Sequence, residues 1–60
     1  MTAASLKSWR ERFGLNKSGA AAALGLARNT YAAYEEGRAE IPLYVALACA
    51  AIAYGLPPMK

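Results

Sequence analysis

The chain of 60 residues has no histidine, no aspartate and a single cysteine, Cys49. Each absence closes a route. One cysteine excludes an internal disulfide and fits a reduced, cytoplasmic setting. Without histidine or aspartate, a metal site would have to combine scattered glutamates with one thiol. The same lack removes every His-based dyad or triad and every aspartate pair, so no enzyme is expected. The acids are Glu11, Glu35, Glu36 and Glu40, all within or beside charged segments, whereas general acid–base work normally needs a tuned pair. No cofactor is implied, and there is no room for a separate domain to bind a small-molecule ligand.

Long apolar runs are also missing. Ile41 to Met59 carries no charge, but Pro42 opens it and Gly55, Pro57 and Pro58 close it. The helix left between them, about 14 residues and about 21 Å long, falls short of a hydrocarbon core of roughly 30 Å. It has no basic face either, which disfavours a helix lying on a membrane. The opening Met1-Thr-Ala-Ala-Ser lacks the basic start and apolar run of a secretory signal.

Turning to what is there, seven Lys and Arg against four acids give a net charge of +3 and a pI near 9.4. That is a mild pull towards polyanions. A chain this size forms one domain, residues 1–60, and buries only roughly 60% of its unfolded surface. With disulfide and metal set aside, a partner chain is the remaining source of stability, so self-association is the default expectation.

Turn signals cut the chain into four short helical pieces. The first runs from about Ser5 to Phe13, with Leu6, Trp9 and Phe13 on one stripe, and ends at Gly14. Asn16 is placed to N-cap a second helix, Lys17 to Leu24, which Gly25 closes. The third runs from about Arg28 to Glu36 and stops at Gly37. Tyr31 and Tyr34 face inward, and Arg28, Asn29, Ala32, Ala33 and Glu36 face outward. The fourth, Pro42 to Tyr54, takes proline at its first position and has no charge over thirteen residues. A helix apolar all round needs burial all round. Either the alanines on its outer face simply tolerate water or, as is expected here, Leu43, Leu47, Ala50, Ala51 and Tyr54 divide between the core and a symmetric homodimer contact. Cys49 reads as a small buried hydrophobe.

The segment LNKSGAAAALGLARNTYAAYEEGR, Leu15 to Arg38, resembles the helix-turn-helix of the lambda-repressor-like class, also called Cro-type or xenobiotic-response-element type. The matching features are Ala21 within the second helix, Gly25 at the turn and Leu26 after it. Tyr31 and Tyr34 stand at the apolar positions of the third helix, and Glu35-Glu36-Gly37-Arg38 closes it. A small residue at Ala21 lets two helices cross closely, and Gly25 suits a backbone conformation that most residues resist. The resemblance extends from Leu6 to about Leu56. Departures include Lys17 where the family often has Gln, and Ala27 where Ser or Thr would cap the third helix better.

The resemblance implies an all-α, four-helix domain that binds double-stranded DNA as a transcriptional regulator. It also implies an ion pair between Arg10 and Glu35. In such a domain the third helix enters the major groove and presents its N-terminal residues to base edges. Arg28 suits guanine O6 and N7, and Asn29 suits adenine N6 and N7. Ala32 and Ala33 allow close approach and contact with thymine methyl groups. Asn16, Lys17 and Ser18, at the start of the second helix, are candidate phosphate contacts, with Thr30, Arg38 and Tyr44. Glu36 would repel phosphate, so it is expected to lie away from the strand or to act as a specificity filter. A two-fold dimer would read a palindromic operator, as a repressor does. The size suits a phage or mobile-element repressor, an anti-CRISPR-associated regulator being one candidate. The alternative from another class is a protein-interaction module of antitoxin type on the same fold.

Overall fold

Local chemistry starts and stops each helix. The computed structural model describes residues 1–59, which form α1 (Ala3–Arg12), α2 (Lys17–Leu24), α3 (Arg28–Glu35) and α4 (Leu43–Ala53), with no strand among them. The architecture is all-α with four helices, as expected.

The first helix begins two residues earlier than its apolar stripe suggests. Thr2 Oγ1 accepts from the Ser5 backbone N–H at 3.1 Å, and Ser5 Oγ accepts from the Thr2 N–H at 2.9 Å. This reciprocal capping box satisfies two donors that a helix start leaves open. At the other end, α1 stops at Arg12 and Phe13 becomes its C-cap. The expected stripe of Leu6, Trp9 and Phe13 therefore loses its last member. Phe13 is 39% exposed, with its ring 5.7 Å from that of Trp9 and the Arg12 guanidinium 5.5 Å above it.

Asn16 caps α2 through Oδ1, which accepts from the Gly19 N–H at 2.7 Å. A Cβ on Gly19 would lie 3.1 Å from that oxygen, so glycine leaves the cap room to close. Gly25, at φ +72°, turns the chain through the left-handed region, and the Leu26 N–H then reaches back to the Ala21 carbonyl at 2.8 Å. Three residues later α3 begins.

Pro42 is not the first residue of α4. Its ψ of 158° is extended, which makes it the N-cap, and the helix proper has eleven residues where thirteen were expected. The third helix likewise ends one residue early, with Glu36 as its C-cap.

The core consists of Leu6, Trp9, Ala20, Ala21, Tyr31, Tyr34, Val45 and Cys49, with Leu15, Leu24, Leu26, Ile41 and Ile52 packed around it. Ala20 and Ala21 are buried, and side chains this small let α2 approach its neighbours closely. The Trp9 indole N–H donates to the Cys49 carbonyl at 3.1 Å and ties α1 to α4. Burial pushes the Cys49 thiol above its ordinary range, as suits an inert core residue.

One expectation for α4 needs correcting. None of Leu43, Leu47, Ala50, Ala51 and Tyr54 enters the core; Val45 and Cys49 do. Ala51 is half-buried, and the other four are exposed, Tyr54 at 83% and Leu43 at 75%. No helix among the described residues is long and apolar enough to cross a membrane.

Candidate nucleic-acid interface

The third helix is held from behind. Arg10 on α1 donates from Nε to Glu35 Oε2 at 3.0 Å and from Nη2 to Glu35 Oε1 at 2.8 Å. Its remaining terminal nitrogen, Nη1, donates to the Leu15 carbonyl at 3.0 Å. One guanidinium thus joins the C-terminal end of α3, the α1–α2 turn and α1 itself. The pair is well shielded, with 15% of the Arg10 side chain and 5% of that of Glu35 exposed. Fork-to-fork pairing of this kind fixes geometry as well as charge. The Arg10 hydrogen bond holds the Glu35 carboxyl below the usual carboxylate range against the opposing effect of burial.

Beside this pair the Tyr31 hydroxyl is buried and has no hydrogen-bond partner among the described residues. Burial first, and the neighbouring Glu35 carboxylate second, raise its pKa well above the ordinary value. Tyr31 therefore packs as a neutral ring. Tyr34 lies one turn on, and proximity to the Tyr44 hydroxyl, with burial, raises its pKa too.

On the opposite side α3 is open. Arg28, Asn29 and Thr30 are exposed, while Ala32 and Ala33 are half-buried beneath their neighbours. Asn29, Ala33 and Glu36 follow one another at helical spacing, as do Arg28 and Ala32, so these side chains share one face. Ala27 makes no side-chain cap, which leaves the first backbone N–H groups of α3 free of a protein acceptor from that side chain.

The candidate phosphate contacts at the start of α2 adjoin this face. Arg28 Nε donates to Ser18 Oγ at 3.0 Å, linking the two helix starts. Sequence reasoning missed this bond, because residues ten apart give no local sign that they meet. Asn16 spends its oxygen on the cap, which leaves its amide N–H groups as donors.

Glu36 lies between two of the candidate phosphate contacts. Its Oε1 accepts from Arg38 Nε at 2.8 Å, and its Oε2 lies 3.7 Å from Lys17 Nζ. The Arg38 hydrogen bond is the chief reason that the Glu36 carboxyl sits below its usual range. The Arg38 contact had a local signal, since the two residues flank Gly37; the Lys17 contact had none. Tyr44 stands at the start of α4, 63% exposed.

Arg28 has no carboxylate within ion-pair distance among the described residues. Nor do those residues include a cluster of three or more His, Cys, Asp or Glu that could hold a metal ion. The face offers hydrogen-bond donors, small side chains and positive charge, which are means of gripping and reading a polyanion.

Two short helices crossing through a left-handed glycine, the second with an exposed Arg-Asn start and a clamped end, define a helix-turn-helix, an arrangement of DNA-binding proteins. The model of the helix-turn-helix domain family matches residues 3–59, and the chain belongs to that family. No curated protein and no solved structure is significantly similar to it.

Proposed function

We propose that residues 1–60 form a single domain that binds double-stranded DNA sequence-specifically and regulates transcription, as a repressor on a palindromic operator. The observation that carries this reading is the exposed start of α3, with no carboxylate at ion-pair distance from Arg28 among the described residues, set on a helix whose far end is fixed by Arg10 and Glu35. In this reading Arg28, Asn29, Ala32 and Ala33 meet base edges. Asn16, Lys17, Ser18, Thr30, Arg38 and Tyr44 meet phosphates and set the register.

The homodimer belongs to the same proposal. Leu43, Leu47, Ala50 and Tyr54 recur at spacings of four, three and four along the outside of α4, with Ala51 at the margin. This uncharged stripe is self-complementary in the way that a two-fold contact requires. A cytoplasmic site of action without cofactor or small-molecule ligand completes the reading. The phage or mobile-element setting, an anti-CRISPR-associated regulator included, rests on the resemblance of Leu15 to Arg38 to that class.

The test is selection of binding sites from random duplex DNA, followed by a salt titration of wild type and Arg28→Ala. The expected result is a palindrome, affinity that falls steeply with salt, and specificity relaxed in the variant at one base pair per half-site. Weak binding at every salt concentration with no motif overturns the reading. The same exposed stripe on α4 then favours the second one, an antitoxin-type module that holds a protein partner.

A further inference from the structure

The cations of the candidate interface are not all in the same state. Arg28 rests on a neutral hydroxyl, that of Ser18. Lys17 and Arg38 instead share one carboxylate, and its two oxygens go to different cations: Oε2 faces Lys17 at 3.7 Å and Oε1 accepts from Arg38 at 2.8 Å. Two oxygens of one phosphate would engage a lysine and an arginine in the same way. The three side chains belong to different places in the chain, namely the first turn of α2, the C-cap of α3 and the loop after it. All three are substantially exposed: 39% for Lys17, 45% for Glu36 and 62% for Arg38. Solvent therefore reaches the cluster, and its contacts exchange readily for others of the same kind.

We propose that Glu36 stands in for a DNA phosphate between Lys17 and Arg38, and so weakens the sequence-independent part of duplex binding. The inference rests on the DNA-binding reading above and adds a brake to it. When a phosphate approaches, Glu36 either stays and repels it or swings out and surrenders both contacts. Each course opposes binding by the same amount whatever the base sequence. Arg28 carries no such restraint, so base reading is unaffected. The placement makes physical sense for a regulator that must leave a large excess of non-cognate DNA, because phosphate contacts supply nearly all of non-specific affinity.

The test compares wild type, Glu36→Gln and Arg28→Ala on a random-sequence duplex and on the selected site, each titrated with salt. The glutamine variant keeps the shape and removes the charge. It should bind the random duplex several-fold more tightly at low salt, with a log–log salt slope steeper by about 0.9, the value for one more phosphate neutralised. The gain should be similar on the selected site. Unchanged affinity and slope in Glu36→Gln, while wild type binds and Arg28→Ala loses specificity, overturn this inference and leave the DNA reading standing. If none of the three binds a duplex at any salt concentration, both fall.

A second measurement needs no variant. The titration midpoint of the Glu36 carboxyl, followed by NMR in wild type, should rise when the random duplex is added, because the cations leave it for phosphate. A midpoint that stays in place on bound DNA overturns the proposal. So does a Glu36→Gln variant that merely melts earlier with its salt slope unchanged, since Glu36 would then be only a brace between α2 and α3.

Discussion

Helices α3 and α4 each bury two side chains but are held in place by different means. In α3, Tyr31 and Tyr34 point inward, Glu35 is clamped by Arg10, and the outer face is polar at its start. In α4, Val45 and Cys49 point inward, and no charged residue occurs anywhere along the helix. Rotating α3 would drown Arg28 and Asn29 and strip Glu35 of its partner, so only one orientation is affordable. Rotating α4 would exchange Val45 and Cys49 for Leu43 and Leu47 at little change in hydrophobicity. Among the described residues, one side-chain hydrogen bond ties it to another helix, from the Trp9 indole to the Cys49 carbonyl. Polar residues fix how a helix faces; apolar ones alone only bring it to the core.

The sharpest way to break this contrast is to remove the clamp. Glu35→Ala leaves the shielded Arg10 guanidinium without its carboxylate, and should lower Tm by about 10 °C or more in a thermal melt. The same contact gives stability a pH dependence. The Glu35 carboxyl is held below its ordinary 4.5, chiefly by the Arg10 hydrogen bond. The unfolded chain therefore binds the proton more readily than the folded one. The contribution of Glu35 is present above the unfolded value and is lost as pH falls through the folded one. Melts from about pH 7 to about pH 3 should show a steeper acid loss in wild type than in the variant. Equal acid limbs would mean that the clamp carries little.

Helix α4 is tested by charging its outer face. Leu47 is 61% exposed, so glutamate there keeps its water and should leave the fold of the single chain intact. If the stripe meets its own copy, Leu47→Glu sets two carboxylates into an apolar contact. Sedimentation should then report a dimer for wild type and a monomer for the variant at the same concentration, and affinity for the palindrome should drop with it. Monomers in both samples would remove the homodimer from the proposal.

Much of this was legible in the sequence, and the reason is local. Asn16 and Gly25 act within a few residues of where they stand, so α2 could be bounded from its own chemistry. The Thr2–Ser5 capping box is equally local, but it uses serine where glutamate or glutamine is the usual partner, so the apolar stripe alone puts the start of α1 too late. Pro42 suited both the cap and the first helical position, and only its backbone angle distinguishes them. The inward face of α4 was illegible because no charged residue marks its outside. In the candidate site, the types of residue were visible, but their pairing was not. Ser18 with Arg28, and Glu36 with Lys17, are contacts between helices, and they exist only once α2 and α3 have crossed.

The smallest effect concerns the end of α3 opposite the clamp. Ala27 occupies the N-cap with extended backbone, φ −66° and ψ 146°, and its methyl group can accept nothing. A serine there has the right backbone angles already and is exposed, so its hydroxyl can accept from the N–H three residues on, that of Thr30. Ala27→Ser should stabilise the domain by about 1 kcal/mol, raising Tm by roughly 4–8 °C. Hydrogen exchange at the amide of Thr30 should slow at the same time. A rise in Tm with slower exchange would show that α3 frays at the end proposed to face DNA while Arg10 holds the other. An unchanged Tm would mean that the first turn is already satisfied, and the contrast between a fixed end and a soft end would disappear. The substitution thus measures how much order the reading end of α3 lacks before DNA supplies it.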